Sequence, residues 1–297
     1  MLHTHRHTRR LALFVTVAFT AALVLGGSGR SHAQDEVIFV GAGDIGTCFS
    51  EGDDLTAGLL DDIPGLIFAL GDTVQGQGTA QEFEECYHPT WGRHRERTRP
   101  IPGNHEYAQP GAEPYFAYFG DLAGPPGLGY YNFDYGAWHI IAMNSMLPAG
   151  PGSAQAEWLR AVLADNPREC TLIYWHHPRF GSGAGGLTGR MNYAFEIAYE
   201  AGVDVVLSGD MHHYERFAPM NPRGQIEPDR GIRQFVIGTG GGGLTRLAER
   251  WRATEARQAS VWGVLRLTLR PGSYSWEFIP VIEGAFSDSG TAGCVNP

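Results

Sequence analysis

The chain has 297 residues, 43% hydrophobic and 18% charged, which fits a globular protein with a substantial core and excludes a disordered one. It has no lysine, and all its fixed positive charge is arginine. Beyond residue 33 there are 18 arginines against 32 acids, a net −14, which excludes a nucleic-acid backbone as main partner because that needs a basic face.

Residues 1–33 read as a signal peptide. Arg6, Arg9 and Arg10 form a basic start, Leu11 to Leu25 is almost purely apolar, and Ser31-His32-Ala33 is a small-x-small cleavage site. An apolar run of about 15 residues is short for a span that needs ~20. The expectation is an exported protein, periplasmic or extracellular, with its domain at 34–297 and no membrane attachment after cleavage. Four cysteines in an exported chain suggest two disulfides among three possible connectivities. The pairing expected here is Cys48–Cys86 with Cys170–Cys294.

Short apolar runs ending in polar or glycine residues follow in chain order. Val37–Val40 runs into Gly43-Asp44, Leu66–Leu70 into Gly71-Asp72, and Trp138–Met143 into Asn144. Thr171–Trp175 runs into His176, Val203–Leu207 into Gly209-Asp210, and Arg233–Ile237 into the glycines 240–243. Such runs read as buried strands. Between them lies a helix capped by Ser153, with Trp158, Leu159, Val162 and Leu163 on one face; weaker helical patterns occupy 54–62, 80–87, 113–119 and 190–201. Val261–Leu269 and Tyr274–Pro280 read as antiparallel strands joined at Pro271-Gly272-Ser273. The alternation is that of an α/β domain.

Reactive groups in α/β sheets gather at the carboxyl ends of strands. Each such residue here has an ordinary reading when taken alone: Asp44 and Asp72 as turn residues, His176 and His212 as buried histidines. The ordered set is more specific. Gly43-Asp44-Ile45-Gly46, Gly71-Asp72, Gly103-Asn104-His105-Glu106, Trp175-His176-His177-Pro178, Gly209-Asp210-Met211-His212 and Tyr214-Glu215-Arg216 together resemble the calcineurin-like metallophosphoesterase superfamily, in its purple-acid-phosphatase-like bacterial branch. The resemblance runs from about residue 37 to the C-terminus.

That resemblance implies a four-layer α-β-β-α sandwich of two mixed sheets flanked by helices, with two metal ions at the strand ends. It implies hydrolysis of phosphate mono- or diesters by a metal-bound hydroxide, on a small phosphate ester. By position, Asp44 and His212 would bind the first ion, Asp72 would bridge, and Asn104, His176 and Asp210 would bind the second. His105 would be the catalytic acid and His177 a substrate contact. Carboxylate, amide oxygen and imidazole suit Mn, Fe, Zn or Mg, and an oxygen-rich second site also suits Ca.

Three positions depart from the pattern. Gln75 stands where the purple branch has a tyrosine ligand, Asp210 replaces a histidine, and 181–186 is a Gly-Ser-Gly-Ala-Gly-Gly run lacking the usual further histidine. Losing tyrosinate and gaining Asp210 leaves the ligand charge at −3 but moves it towards the second ion. The site is either retuned or decayed, and a non-catalytic metal- or phosphate-binding protein is the alternative function.

The remaining motifs are bland. Gly240–Gly243 lacks the Lys-Ser/Thr of a P-loop and reads as a loop close to the site. Arg93, Arg95, Arg97 and Arg99 read as a solvated face. Ser145 has no nucleophile context.

Overall fold

A computed structural model of the chain describes residues 1–2, 36–166, 168–183 and 187–295. The signal segment thus lies outside the described residues save Met1 and Leu2, as do 184–186 of the glycine run. Among the described residues no helix is long and apolar enough to cross a membrane.

Seven apolar runs form strands buried along most of their length, β1 (Val37–Ala42), β2 (Leu66–Leu70), β5 (Trp138–Ala142), β6 (Cys170–Tyr174), β7 (Val205–Ser208), β9 (Arg233–Ile237) and β11 (Gly263–Arg270), and an eighth, β12 (Ser273–Pro280), buries alternate residues. Five further strands carry too many polar residues to read as apolar runs: β3 (Thr98–Ile101), β4 (Tyr131–Tyr135), β8 (Tyr214–Phe217), β10 (Thr254–Gln258) and β13 (Ser289–Gly293). They complete two sheets, ordered β13-β12-β11-β1-β2-β3 and β10-β8-β9-β7-β6-β5-β4. Both are mixed. Strands β1, β2 and β3 run parallel beside an antiparallel β11-β12-β13 finish. Strands β5, β6, β7 and β9 run parallel; β4 and β8 run antiparallel to them, and β10 pairs antiparallel with β8.

The sheets pack face to face, and the period of two decides what meets what. Leu172 and Tyr174 of β6 face the inter-sheet core, whereas Ile173 joins the opposite cluster. In the core Phe39 of β1 meets Tyr174 with ring centroids 5.9 Å apart and Phe133 at 6.4 Å. Phe39 and Tyr174, both fully buried, each contribute about 2–3 kcal/mol. Tyrosine hydroxyls tie the layers: Tyr131 Oη donates to Pro100 O at 2.9 Å and Tyr135 Oη to Ile38 O at 3.1 Å.

Helices α1 (Gly52–Asp62) and α4 (Ala154–Asp165) flank the two sheets. Between them come α2 (Ala80–Glu82), continued as a π-helix over Phe83–Tyr87, and α3 (Glu113–Phe119); α5 (Asn192–Glu200) follows. The Ser153 cap is present, its hydroxyl accepting from Ala156 N at 3.3 Å. Leu159 is buried against α5 and the outer face of β6, while Trp158, Val162 and Leu163 pack on the same cluster. This is the expected four-layer α-β-β-α sandwich. The arginine run is not a uniform solvated face: Arg97 donates to Ile63 O and Gly65 O at 2.8 and 3.0 Å and also reaches Leu60 O, closing the end of α1, while Arg93 pairs with Asp61. Both expected disulfides are formed, Cys48–Cys86 and Cys170–Cys294.

Candidate metal centre at the strand ends

Five strand ends open onto one cleft. Asp44 follows β1, Asp72 follows β2, Asn104 and His105 follow β3, His176 and His177 follow β6, and Asp210 and His212 follow β7. The three aspartates adopt left-handed backbone, with φ of 59° at Asp44, 49° at Asp72 and 65° at Asp210. A non-glycine residue there costs of order 1 kcal/mol or more and persists only where its surroundings impose it. Here they do: Asp44 N donates to Gly71 O at 3.1 Å, Ile45 N to Asp72 O at 2.9 Å, and Asp210 N to the Asp44 carboxylate at 2.9 Å. The glycines in the motifs make room. A Cβ at Gly103 would lie 2.2 Å from Asp72 Oδ1, and one at Gly209 would lie 2.8 Å from Asp44 Oδ2.

The side chains converge. His176 Nε2 lies 3.3 Å from Asp72 Oδ2, 3.2 Å from Asn104 Oδ1 and 3.7 Å from Asp210 Oδ1. His212 Nε2 lies 3.2 Å from Asp44 Oδ1. One donor atom each of Asp44, Asp72 and His176 lie within 4.8 Å of one another. His105 Nε2 stands 3.7 Å from Asp72 Oδ2, and His177 Nε2 3.7 Å from Asp210 Oδ1.

Backbone carbonyls fix the ring orientations. His176 Nδ1 donates to Leu70 O and His212 Nδ1 to Gly243 O, both at 2.7 Å, and His105 Nδ1 donates to Gly76 O at 2.6 Å. A carbonyl only accepts, so the proton sits on Nδ1 and Nε2 is turned inward, the arrangement that suits a metal-ligating imidazole. Asp44 Oδ1 is buried and accepts no hydrogen bond, since His212 lies close without hydrogen-bond geometry. An anionic oxygen left so fits a cation. The donor set therefore suits divalent metal.

Electrostatics agree. Burial alone would keep His176 neutral, yet the Asp72, Asp44 and Asp210 carboxylates raise it well above the usual imidazole range. Burial likewise opposes the charge on His212, but Asp44 outweighs it and raises the group to about 9. Burial, with Asp44 and Asp72 adding, raises Asp210. Three carboxylates this close demand positive charge between them, from protons or from cations. His177 is the opposite case: burial and the neighbouring His176 lower it to about 3, so its ring is neutral.

Other residues hold the site, among them two with no role expected from sequence, Glu106 and Ser145. Glu106 is fully buried and accepts from the backbone N–H of Asp72 (3.0 Å), Thr73 (2.7 Å), Val74 (3.3 Å) and Gly103 (2.6 Å), and from the Thr73 hydroxyl (2.7 Å). It binds the Asp72 loop to the Asn104 loop. Its place in Gly-Asn-His-Glu was the available signal. Ser145 supports His177; its Oγ lies 2.8 Å from His177 Nδ1 and accepts from His177 N at 3.2 Å. The glycine run at 240–243 does wrap the site, Gly242 N donating to Asp44 O at 2.8 Å. Gln75 turns back, its amide donating to Asp72 O at 3.3 Å. Glu215 and Arg216 serve the fold: Glu215 accepts from Ser182 N at 2.7 Å, and Arg216 pairs with Asp288 at 2.7 Å.

Two mixed sheets facing each other, with carboxylates and imidazoles at their strand ends, define the metallophosphoesterase class of α/β sandwich. Residues 39–214 match the calcineurin-like phosphoesterase family, and the chain belongs to that family. It is 28% identical to purple acid phosphatase 15 of Arabidopsis thaliana over 211 residues, 59% of this chain and 40% of that one. It is 34% identical to purple acid phosphatase 21 of the same plant over 118 residues, 38% and 26% of the two chains. The chain thus spans less than half the length of these relatives. In fold it resembles the purple acid phosphatase PPD1 from yellow lupin (Lupinus luteus) seeds, with TM-score 0.72 and 18% identity over 87% of this chain and 54% of that one. It also resembles GAP50, the anchor in the inner membrane complex of Plasmodium, with TM-score 0.65 and 13% identity over 87% and 89%.

Proposed function

We propose that this chain is an exported, metal-dependent phosphoesterase that hydrolyses phosphate mono- or diesters at a dinuclear site. One observation carries the reading: Asp44, Asp72 and Asp210, each in left-handed backbone, aim their carboxylates at the inward Nε2 atoms of His176 and His212. Asp44 and His212 would hold a first ion, Asn104, His176 and Asp210 would hold a second, and Asp72 would serve both. When bound, such a pair clamps phosphoryl oxygens and acidifies the attacking water.

The chain's own groups do the rest. His105 keeps its Nδ1 proton on Gly76 O and presents Nε2 beside Asp72; the doubly protonated ring gives its Nε2 proton to the leaving oxygen and is left neutral with Nδ1–H. His177, neutral and held by Ser145, offers Nε2 to a phosphoryl oxygen as a hydrogen-bond donor. Export is supported by the two disulfides, with residues 1–33 as the signal and the domain at 34–297.

Gln75, folded back onto backbone, favours the alternative of a non-catalytic metal- or phosphate-binding protein. Turnover of 4-nitrophenyl phosphate and bis(4-nitrophenyl) phosphate by protein reconstituted with Mn, Fe, Zn, Mg or Ca separates the two. Hydrolysis that a chelator abolishes supports the enzyme. Metal-loaded protein that turns over neither ester supports the alternative.

A further inference from the structure

A cavity of ≈ 340 Å³ lies beside this site, between the loop that follows Asp44 and the loop that follows Asp72. Its inner wall is Gln75 and Gly76, and these belong to the site itself: Gln75 bonds Asp72 O and Gly76 O holds the His105 ring. Its outer wall is apolar, formed by the Cys48–Cys86 disulfide and by Phe49, whose ring is 97% exposed. An aromatic ring that nothing covers, at the mouth of a cavity next to a reaction centre, offers a face for another flat apolar group.

The polar lining has one sign. Glu82 and Glu85 line the cavity, together with Gln81, and among the described residues no arginine does. Glu82 is locked in place: its carboxylate accepts from Gln77 N at 2.9 Å and from Thr79 N at 2.8 Å, and a Cβ on Gly76 would collide with it. Burial opposes its charge, but the N–H groups of Thr79 and Gln77 prevail and keep it ionised, with His105 also contributing. Glu85 is exposed and accepts from Gln81 Nε2 at 3.0 Å. A second phosphate or a carboxylate entering here meets two carboxylates and no cation.

We propose that this cavity is the leaving-group pocket of the phosphoesterase and that it takes an aromatic leaving group ending in an amine. The inference rests on the function proposed above and deepens it. Bound at the strand ends, the ester places its phosphoryl group by Asp72 and His105. Its ring lies against Phe49 and the disulfide. Its ammonium faces Glu82 and Glu85. Multiply anionic esters are poor substrates for the same reason.

Three esters whose leaving groups share a 4-alkylphenol frame and differ in terminal charge separate the charge effect from intrinsic reactivity: O-phosphotyramine, 4-ethylphenyl phosphate and 3-(4-phosphonooxyphenyl)propionate. With the metal-reconstituted full chain, kcat/KM falls in that order, by about tenfold from first to last. E85K flattens or reverses the order. F49A, at an exposed position whose loss cannot unfold the protein, raises KM for all three. Equal kcat/KM for the cationic and anionic esters, or an order that E85K leaves intact, overturns the pocket while leaving the hydrolytic reading in place. Tyramine binding to metal-free protein, followed by calorimetry, reads the cavity without catalysis, and it weakens in both variants. Tyramine bound in wild type without turnover of any ester overturns the hydrolytic reading instead. No binding of tyramine at millimolar concentration overturns the pocket.

Discussion

The backbone N–H of Asp210 donates to the carboxylate of Asp44 at 2.9 Å, so the two loops that would carry the two ions are joined directly. Asp210 has left-handed backbone and its carboxylate lies 3.7 Å from both His176 and His177. The carboxylate at this position is therefore held by the fold beside His176 and His177, where the proposed second ion would meet it.

If Asp210 is a ligand, Asp210→His replaces a hard oxygen donor with imidazole. The expected outcome is a rise of about tenfold in affinity for Zn relative to Mn, measured by competitive metal binding. An unchanged Zn/Mn ratio would mean that Asp210 does not touch metal, and the decayed-site reading would then be preferred.

Glu106 receives five donors in a buried position, and Glu106→Gln turns an amide NH2 towards backbone N–H groups that already need acceptors. The expected loss is about 2–4 kcal/mol of stability, seen as a lower urea midpoint. Because Asp72 and Asn104 sit on the two loops it joins, metal affinity falls with it. Weakened metal binding with an unchanged midpoint would show a direct role at the site in place of a structural one.

Asp204 is buried beside the Cys170–Cys294 disulfide and accepts from Thr171 N at 2.7 Å and Val295 N at 2.6 Å. Burial outweighs those bonds and raises its carboxyl to about 6. The folded protein therefore keeps a proton up to about pH 6 that the unfolded chain releases near its ordinary value of ~4. Stability from this group falls as pH rises between those values and is level above them, a change of about 3 kcal/mol. Denaturation midpoints of wild type and Asp204→Asn across pH 4–7 check it, the variant having the shallower slope.

Cys170 and Cys294 are 124 residues apart in sequence. Closing so long a loop restricts the unfolded chain, and its removal is expected to cost about 4 kcal/mol. The unreduced, denatured protein should titrate no thiol, and Cys170→Ala/Cys294→Ala should unfold at lower denaturant. Four free thiols in protein recovered from the export compartment would contradict the oxidised state.

The parts legible in sequence were those where burial on both sides leaves an apolar run, as in Leu66–Leu70 and Cys170–Tyr174. Edge strands were not, for physical reasons. Strand β3 contains Pro100, which only a strand with one free side tolerates, and β13 is Ser-Gly-Thr-Ala-Gly with alternate residues exposed. Strand β8 lies inside its sheet but carries Glu215 and Arg216, whose charges are met by partners distant in sequence, Ser182 and Asp288. The candidate ligands were visible because glycine and acid recur at strand ends. What stayed hidden was what supports them: Ser145 behind His177 and Glu106 beneath two loops are contacts between distant segments.

Metal stoichiometry tests the central claim most directly. Elemental mass spectrometry of the full chain, loaded with Mn and dialysed, should find about two ions per chain in wild type and at most about one in Asp72→Ala, because Asp72 is the residue assigned to both ions. Wild-type protein with no metal above buffer background, or an Asp72→Ala variant with undiminished metal, would contradict it.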